Sequence, residues 1–165
     1  SLDGFIEGPK GEYDWCFTDQ DYGMTEFLNR IDTVFYGRKS YEVMLAAEQG
    51  GANPFASFKS YVFSNSISSG FDGTALITGD VHSKVIEIKS QPGKDIWLFG
   101  GSSLVSWFIQ EGLVDELSLA VHPIILGSGK PLFQDIQNRY HLALLKATPY
   151  STGLVILHYQ CKRKD

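Results

Sequence analysis

The chain reads as an α/β protein whose mixed, mostly parallel sheet finishes with antiparallel strands. Three observations predict this. Apolar segments of strand and helix period alternate through the first two thirds of the chain, Ile96-Trp-Leu-Phe-Gly-Gly-Ser-Ser-Leu-Val105 passes from a buried strand through two glycines into a helix, and the period changes near Val114. Alternation of strand and helix implies parallel strands joined by right-handed crossovers, with helices on both faces of the sheet. About seven or eight strands are expected.

The opening Ser1-Leu-Asp-Gly4 reads as the end of a strand that starts upstream. Met24, Phe27, Leu28 and Ile31 then fall at i, i+3, i+4 and i+7, the apolar stripe of a helix over about Asp21 to Ile31. Thr33 to Tyr36 is a short β-branched and aromatic strand ending at Gly37, and a second helix runs from about Ser40 to Ala47 before Gly50-Gly-Ala-Asn-Pro54 breaks it. Tyr61 to Phe63 is a strand that stops at Ser64-Asn65, and Thr74 to Thr78 is another. Val81, Val85 and Ile88 mark a third helix, after which Gln91-Pro-Gly-Lys94 delivers the chain to the strand at Ile96. The helix at 103–111 buries Leu104, Val105, Phe108 and Ile109, with Ser102 or Ser103 as its cap. Beyond it Leu117, Leu119 and Val121 alternate with Glu116, Ser118 and Ala120 as in a half-buried strand. Strands at about 140–148 and 153–161 flank Thr152-Gly153 closely enough to form a hairpin.

With 165 residues, 43% hydrophobic and 20% charged, the chain has the size and composition of one compact globular domain over residues 1–165. A formal net charge of −5 argues against a nucleic-acid partner, whose binders carry a basic footprint. No apolar run reaches the roughly 18 residues of a membrane span. Cys16 and Cys161 stand far apart with no CxxC spacing, so neither a disulfide framework nor a metal site is expected, and a reducing cytoplasm is the simplest setting. His82, His122, His141 and His158 have no metal-ligand spacing either.

Three predicted strand ends carry polar or glycine residues: Gly37-Arg38-Lys39-Ser40, Ser64-Asn65 and Gly100-Gly101-Ser102-Ser103. In α/β sheets ligands bind outside the carboxyl ends of the strands. The glycines let a ligand approach the backbone, a helix N-terminus favours an anion, and Arg38 offers a planar donor fork. Taken singly, Arg38 reads equally as a solvated residue, the serines as caps, and the glycines as tight packing of helix on sheet. Gly127-Ser-Gly-Lys130 lacks the earlier glycine of a phosphate loop, since Ile124 stands there, and reads as a turn.

The runs Asp32-Thr-Val-Phe-Tyr-Gly-Arg-Lys-Ser-Tyr-Glu42 and Ile96-Trp-Leu-Phe-Gly-Gly-Ser-Ser-Leu104 resemble the dihydrofolate reductases. The opening Ser1-Leu-Asp-Gly4, with Gly112-Leu-Val-Asp-Glu-Leu117 and Pro123-Ile-Ile-Leu-Gly-Ser-Gly-Lys-Pro-Leu-Phe133, is more similar to the reductase domain of bacterial riboflavin biosynthesis and its single-domain relatives. The resemblance covers nearly the whole chain and implies a dihydrofolate reductase-like three-layer αβα fold. It also implies an NADPH-dependent reductase acting on a small heterocycle of the dihydrofolate or 5-amino-6-(5-phosphoribosylamino)uracil type. A nucleotide-binding module of the same fold without turnover is the alternative.

On that resemblance Gly37, Arg38 and Ser40 lie along the cofactor phosphates, and Ser64 and Asn65 lie near the ribose phosphate that distinguishes NADPH from NADH. Gly100 and Gly101 are joined by a cis peptide beside the pyrophosphate, followed by Ser102, Ser103 and Leu104. Counting back from Gly37 places Asp21 at the carboxylate that holds the substrate ring, with Asp14, Asp19 and Glu116 as competitors. A buried acid there can accept hydrogen bonds from an aminopyrimidine edge and assist proton delivery, whereas a carboxylate before a helix can also be only its cap. Trp15 and Phe17 could stack on a flat ring, or belong to the core. A small-molecule substrate and a homodimer complete the expectation.

Overall fold

A computed structural model describes residues 1–47 and 55–162. The predicted break at Gly50–Pro54 lies outside the described residues. In chain order the elements are β1 (Phe5–Glu7), α1 (Met24–Asn29), β2 (Ile31–Gly37), α2 (Arg38–Ala47), β3 (Lys59–Phe63), β4 (Thr74–Ile77), α3 (Val81–Ser90), β5 (Asp95–Gly100), α4 (Ser102–Gln110), β6 (Glu116–Val121), β7 (Lys130–Pro131), β8 (Leu142–Pro149) and β9 (Val155–Cys161). They fall into two compact units, Gly23–Leu104 and Ser1–Tyr22 with Val105–Asp165. The strands form three ladders rather than the single sheet expected from the sequence.

The unit Gly23–Leu104 contains a four-stranded parallel sheet in the order β4-β3-β2-β5. A strand paired on both sides and covered on its faces reads as a continuous apolar run. β2 is such a strand, with Ile31, Val34, Phe35 and Tyr36 buried, and Val34 and Tyr36 fully so. Around it pack Tyr41, Met44 and Val62, with Phe27, Phe55, Phe58, Phe71 and Trp97 partly buried against them. α3 is capped by Asp80, whose carboxylate accepts from Ser83 N at 3.1 Å, and buries Val85 completely. It stops at Gln91, held extended by the proline that follows. Gly93 then passes over Asp32, since a Cβ there would lie 2.7 Å from Asp32 Oδ2, and Asp32 Oδ2 accepts from Lys94 N at 2.8 Å.

Two boundaries differ from the sequence reading in this unit. α1 starts at Met24, because Tyr22 and Gly23 both have positive φ, and no side chain caps it. Ile31 opens β2 instead of closing the helix, its partner being Asp95 on β5, while Asp95 N donates to Arg30 O at 3.0 Å. Sheet pairing outweighs the helical stripe at that position.

In the unit Ser1–Tyr22 with Val105–Asp165, β6, β9 and β8 form an antiparallel sheet in that order. Leu117, Leu119 and Val121 are half-buried while Glu116, Ser118 and Ala120 are exposed, so the predicted alternation holds. The β8–β9 hairpin closes through Tyr150 N to Leu154 O and Gly153 N to Tyr150 O, both 2.9 Å, with Gly153 at φ +87°. Ser1–Gly4 is a turn, and the strand is β1, paired with the two residues of β7. Gly127–Gly129 bends the chain into β7, tied down by Asp3, whose carboxylate accepts from Gly127 N at 2.8 Å and Leu126 N at 3.2 Å. Together with the Ser1 hydroxyl these donors hold the Asp3 carboxyl down at about 2. Gly129 leaves no room for a side chain, since a Cβ would collide with the Glu7 carbonyl.

Candidate functional site

The register of the parallel sheet sets Gly37 against Phe63 and Tyr36 against Gly100, so β3, β2 and β5 end along one edge. All ten residues expected around a cofactor, Gly37, Arg38, Ser40, Ser64, Asn65, Gly100, Gly101, Ser102, Ser103 and Leu104, belong to this unit. The strand ends approach closely. A Cβ on Gly37 would lie 3.2 Å from Gly101 N and 3.3 Å from Gly100 O, and one on Gly101 would lie 3.1 Å from Ser40 Oγ. Gly100 has φ +116°, and its peptide bond to Gly101 is cis. At Gly37 the neighbouring backbone leaves no room for a side chain, whereas at Gly101 only the Ser40 hydroxyl stands in the way.

α2 starts directly after Gly37 and α4 directly after Gly101, and neither carries an acidic residue in its first turn. The N–H groups and positive dipole end of a helix's first turn suit an anion. Ser102 is 1% exposed, and its Oγ has no hydrogen-bond partner among the described residues. A buried hydroxyl left unpaired costs about 1–3 kcal/mol, so this atom is suited to a ligand oxygen. Arg38 Nη1 meets Glu42 Oε1 at 2.6 Å, one helical turn on, with both side chains partly exposed. The fork predicted for a phosphate is thus held by a neighbouring carboxylate, which the i, i+4 spacing of Arg38 and Glu42 already signals.

The remaining members are placed less tightly. Ser64 Oγ accepts from Ser66 N at 3.1 Å, a local turn, and Ser64 N donates to Ile77 O at 3.2 Å. Asn65 and Ser103 are exposed and Leu104 is half-buried. Ser102 opens α4 from within the first turn with its hydroxyl unpaired, which corrects its reading as a cap.

Asp21 belongs to the unit Ser1–Tyr22 with Val105–Asp165 and is exposed in the turn before α1. It does not start the helix, so neither the helix-start position nor the cap describes it. Asp19 Oδ1 accepts from Tyr22 Oη at 2.6 Å, Asp14 is exposed, and Glu116 Oε2 meets His158 Nε2 at 2.8 Å. In the same unit Trp15 and Phe17 pack against His122, at centroid distances of 5.4 and 5.1 Å. His122 is buried, accepts from Phe17 N at its Nε2 (3.0 Å) and lies 3.3 Å from Ala120 O at its Nδ1. Burial pushes its pKa below the ordinary value, and the neutral ring with the proton on Nδ1 satisfies both contacts. Among the described residues no group of three His, Cys, Asp or Glu side chains could hold a metal ion, and no helix is long and apolar enough to cross a membrane.

The RibD C-terminal domain family model matches residues 1–156. The uncharacterized protein YyaP of Bacillus subtilis is 43% identical over 168 residues, which cover 96% of this chain and 89% of YyaP. Among solved structures, a Shewanella sp. PV-4 protein assigned provisionally to riboflavin biosynthesis superposes with a TM-score of 0.85 at 24% identity, covering 98% of this chain and 94% of that one. A Thermotoga maritima diaminohydroxyphosphoribosylaminopyrimidine deaminase/5-amino-6-(5-phosphoribosylamino)uracil reductase gives a TM-score of 0.72 at 16% identity over 98% of this chain and 54% of that one. These likenesses show the dihydrofolate reductase-like α/β fold. The extent of the family match and the close relative in B. subtilis lead to one conclusion: the chain belongs to the RibD C-terminal domain family.

Proposed function

We propose that this protein is an NADPH-dependent reductase of a small nitrogen heterocycle, of pterin or 5-amino-6-(5-phosphoribosylamino)uracil type, with a reductase-like role related to riboflavin biosynthesis. The observation that carries the reading is the bare corner of Gly37, Gly100 and Gly101 beside the buried, unpartnered Ser102 hydroxyl, at the ends of three parallel strands. Family membership supports an oxidoreductase, and the residues present fit a dinucleotide. Gly37, Gly100 and Gly101 admit the pyrophosphate to the backbone, the first turns of α2 and α4 donate N–H groups, and Ser102 Oγ donates to a phosphate oxygen. Arg38 exchanges Glu42 for the 2′-phosphate side of the cofactor, near Ser64 and Asn65. When bound, NADPH supplies the hydride. Asp21 is the carboxylate we nominate to orient the substrate ring.

Arg38→Ala tests the reading by titration with both cofactors. NADPH affinity is expected to fall by about 1–3 kcal/mol, the scale of a charge-assisted contact, with NADH much less affected. Equal losses for the two cofactors would assign Arg38 to the shared pyrophosphate or to the fold. NADPH binding without oxidation of the cofactor across a panel of pterins and aminopyrimidines would leave a nucleotide-binding module.

A further inference from the structure

We infer that Phe99 is the platform on which the nicotinamide ring of the bound dinucleotide stacks, an inference that rests on the NADPH reading above. Phe99 is the residue of β5 immediately before Gly100. The ladder pairs Phe35 with Leu98 and then Tyr36 with Gly100, so Phe99 is the extra residue of a bulge. Bulges re-aim a side chain, and they recur beside binding sites. Phe99 is 36% exposed, although it touches Tyr36, which is fully buried.

The ring is braced on its inner side. Its centroid lies 4.9 Å from that of Trp97, 5.1 Å from Tyr36 and 6.4 Å from Phe55, with interplanar angles of 57°, 41° and 63°. Scattered exposed apolar residues are ordinary on protein surfaces. A braced aromatic ring at the lip of a phosphate cradle is a different case, because stacking on it requires little further ordering.

The order of the strands selects which end of the dinucleotide reaches Phe99. Ser64 and Asn65, expected at the 2′-phosphate, follow β3, and Gly100 and Gly101, expected at the pyrophosphate, end β5, with β2 between them. The adenosine half therefore points toward β3. The other half points away from β3 along β5, where one ribose separates the pyrophosphate from the nicotinamide and Phe99 directly precedes Gly100.

Isothermal titration of NADP⁺ and of 2′-phospho-ADP-ribose, which lacks the nicotinamide, tests this on the wild type and on Phe99→Ala, Phe99→Leu and Phe99→Trp. Thermal melts check that each variant is folded, and Phe99→Leu keeps apolar volume over Trp97 if Phe99→Ala does not fold. Removing the ring is expected to weaken NADP⁺ about tenfold, as for loss of an aromatic platform under a base. Phe99→Trp should restore binding, and 2′-phospho-ADP-ribose should be unaffected throughout. Equal losses for both ligands, or no loss of NADP⁺ affinity, would overturn the inference. A wild-type protein that binds 2′-phospho-ADP-ribose as tightly as NADP⁺ overturns it while leaving the NADPH reading intact, and one that binds neither ligand overturns both.

Discussion

Gly37→Ala is expected to destabilise the protein by about 1–3 kcal/mol, the usual scale of overpacking a filled site. The new methyl would sit 3.2 Å from Gly101 N and 3.3 Å from Gly100 O, where carbon contacts prefer about 3.5–4.0 Å. Both atoms are backbone at the end of β5, and the Tyr36–Gly100 pairing holds that backbone in register, so neither can rotate away. Gly101→Ala is the control. Its methyl would meet only Ser40 Oγ, at 3.1 Å, and a serine side chain can turn aside, so a loss under about 1 kcal/mol is expected. Ser40→Ala should remove most of that penalty when combined with it, because the two sites touch. Urea unfolding with an unchanged m-value measures each loss. Gly37→Ala within about 0.5 kcal/mol of wild type, or Gly101→Ala as the costlier change, would refute the close approach of the two strand ends.

Glu42→Gln should raise NADPH affinity a few-fold, the modest scale of a half-exposed ion pair, because it frees Arg38 from its 2.6 Å partner; an affinity equal to or below wild type would show that Glu42 positions Arg38 for binding. For His122 the folded pKa lies below the unfolded value near 6.5, so the unfolded state takes up the proton first and stability present above that pH is lost as pH falls below it. The urea midpoint should drop from pH 7.5 to pH 5 more in wild type than in His122→Gln, and identical slopes would exclude the histidine as the cause. Asp21→Asn should lower turnover by roughly 100-fold or more, the scale of general acid–base assistance, with folding and NADPH affinity preserved; unchanged turnover would pass the role to Asp14, Asp19 or Glu116. We propose a homodimer through β8, an edge strand with Leu142, Leu144 and Leu145 at 37%, 56% and 50% exposure. Sedimentation of a monomer at micromolar concentration would rule it out.

Much of the fold was legible because local rules and tertiary packing agree. The β-branched and aromatic runs of β2 and β3, the Val81, Val85 and Ile88 stripe of α3, the Thr152-Gly153 turn and the alternation in β6 each carry one signal that the structure obeys. The reading failed where two signals compete. Ile31 fits a helical stripe and a strand equally well, and its pairing with Asp95, 64 positions away, decides for the strand. β1 and β7 are too short to show a period, and a tie between Asp3 and the 126–127 backbone joins the segments that lead into them.

By itself the sequence determined the alternation of elements and the glycine and serine composition of the strand ends, since both depend on neighbours within a few residues. Only the tertiary structure decided that Gly37 and Gly101 face each other within one methyl group, that Ser102 buries an unpaired hydroxyl, that Phe99 is bulged outward over Trp97 and Tyr36, and that His122 answers the backbone of Phe17. Each of these joins residues far apart in the chain or depends on how completely a side chain is enclosed. Sequence spacing carries neither quantity; strand register and packing set both.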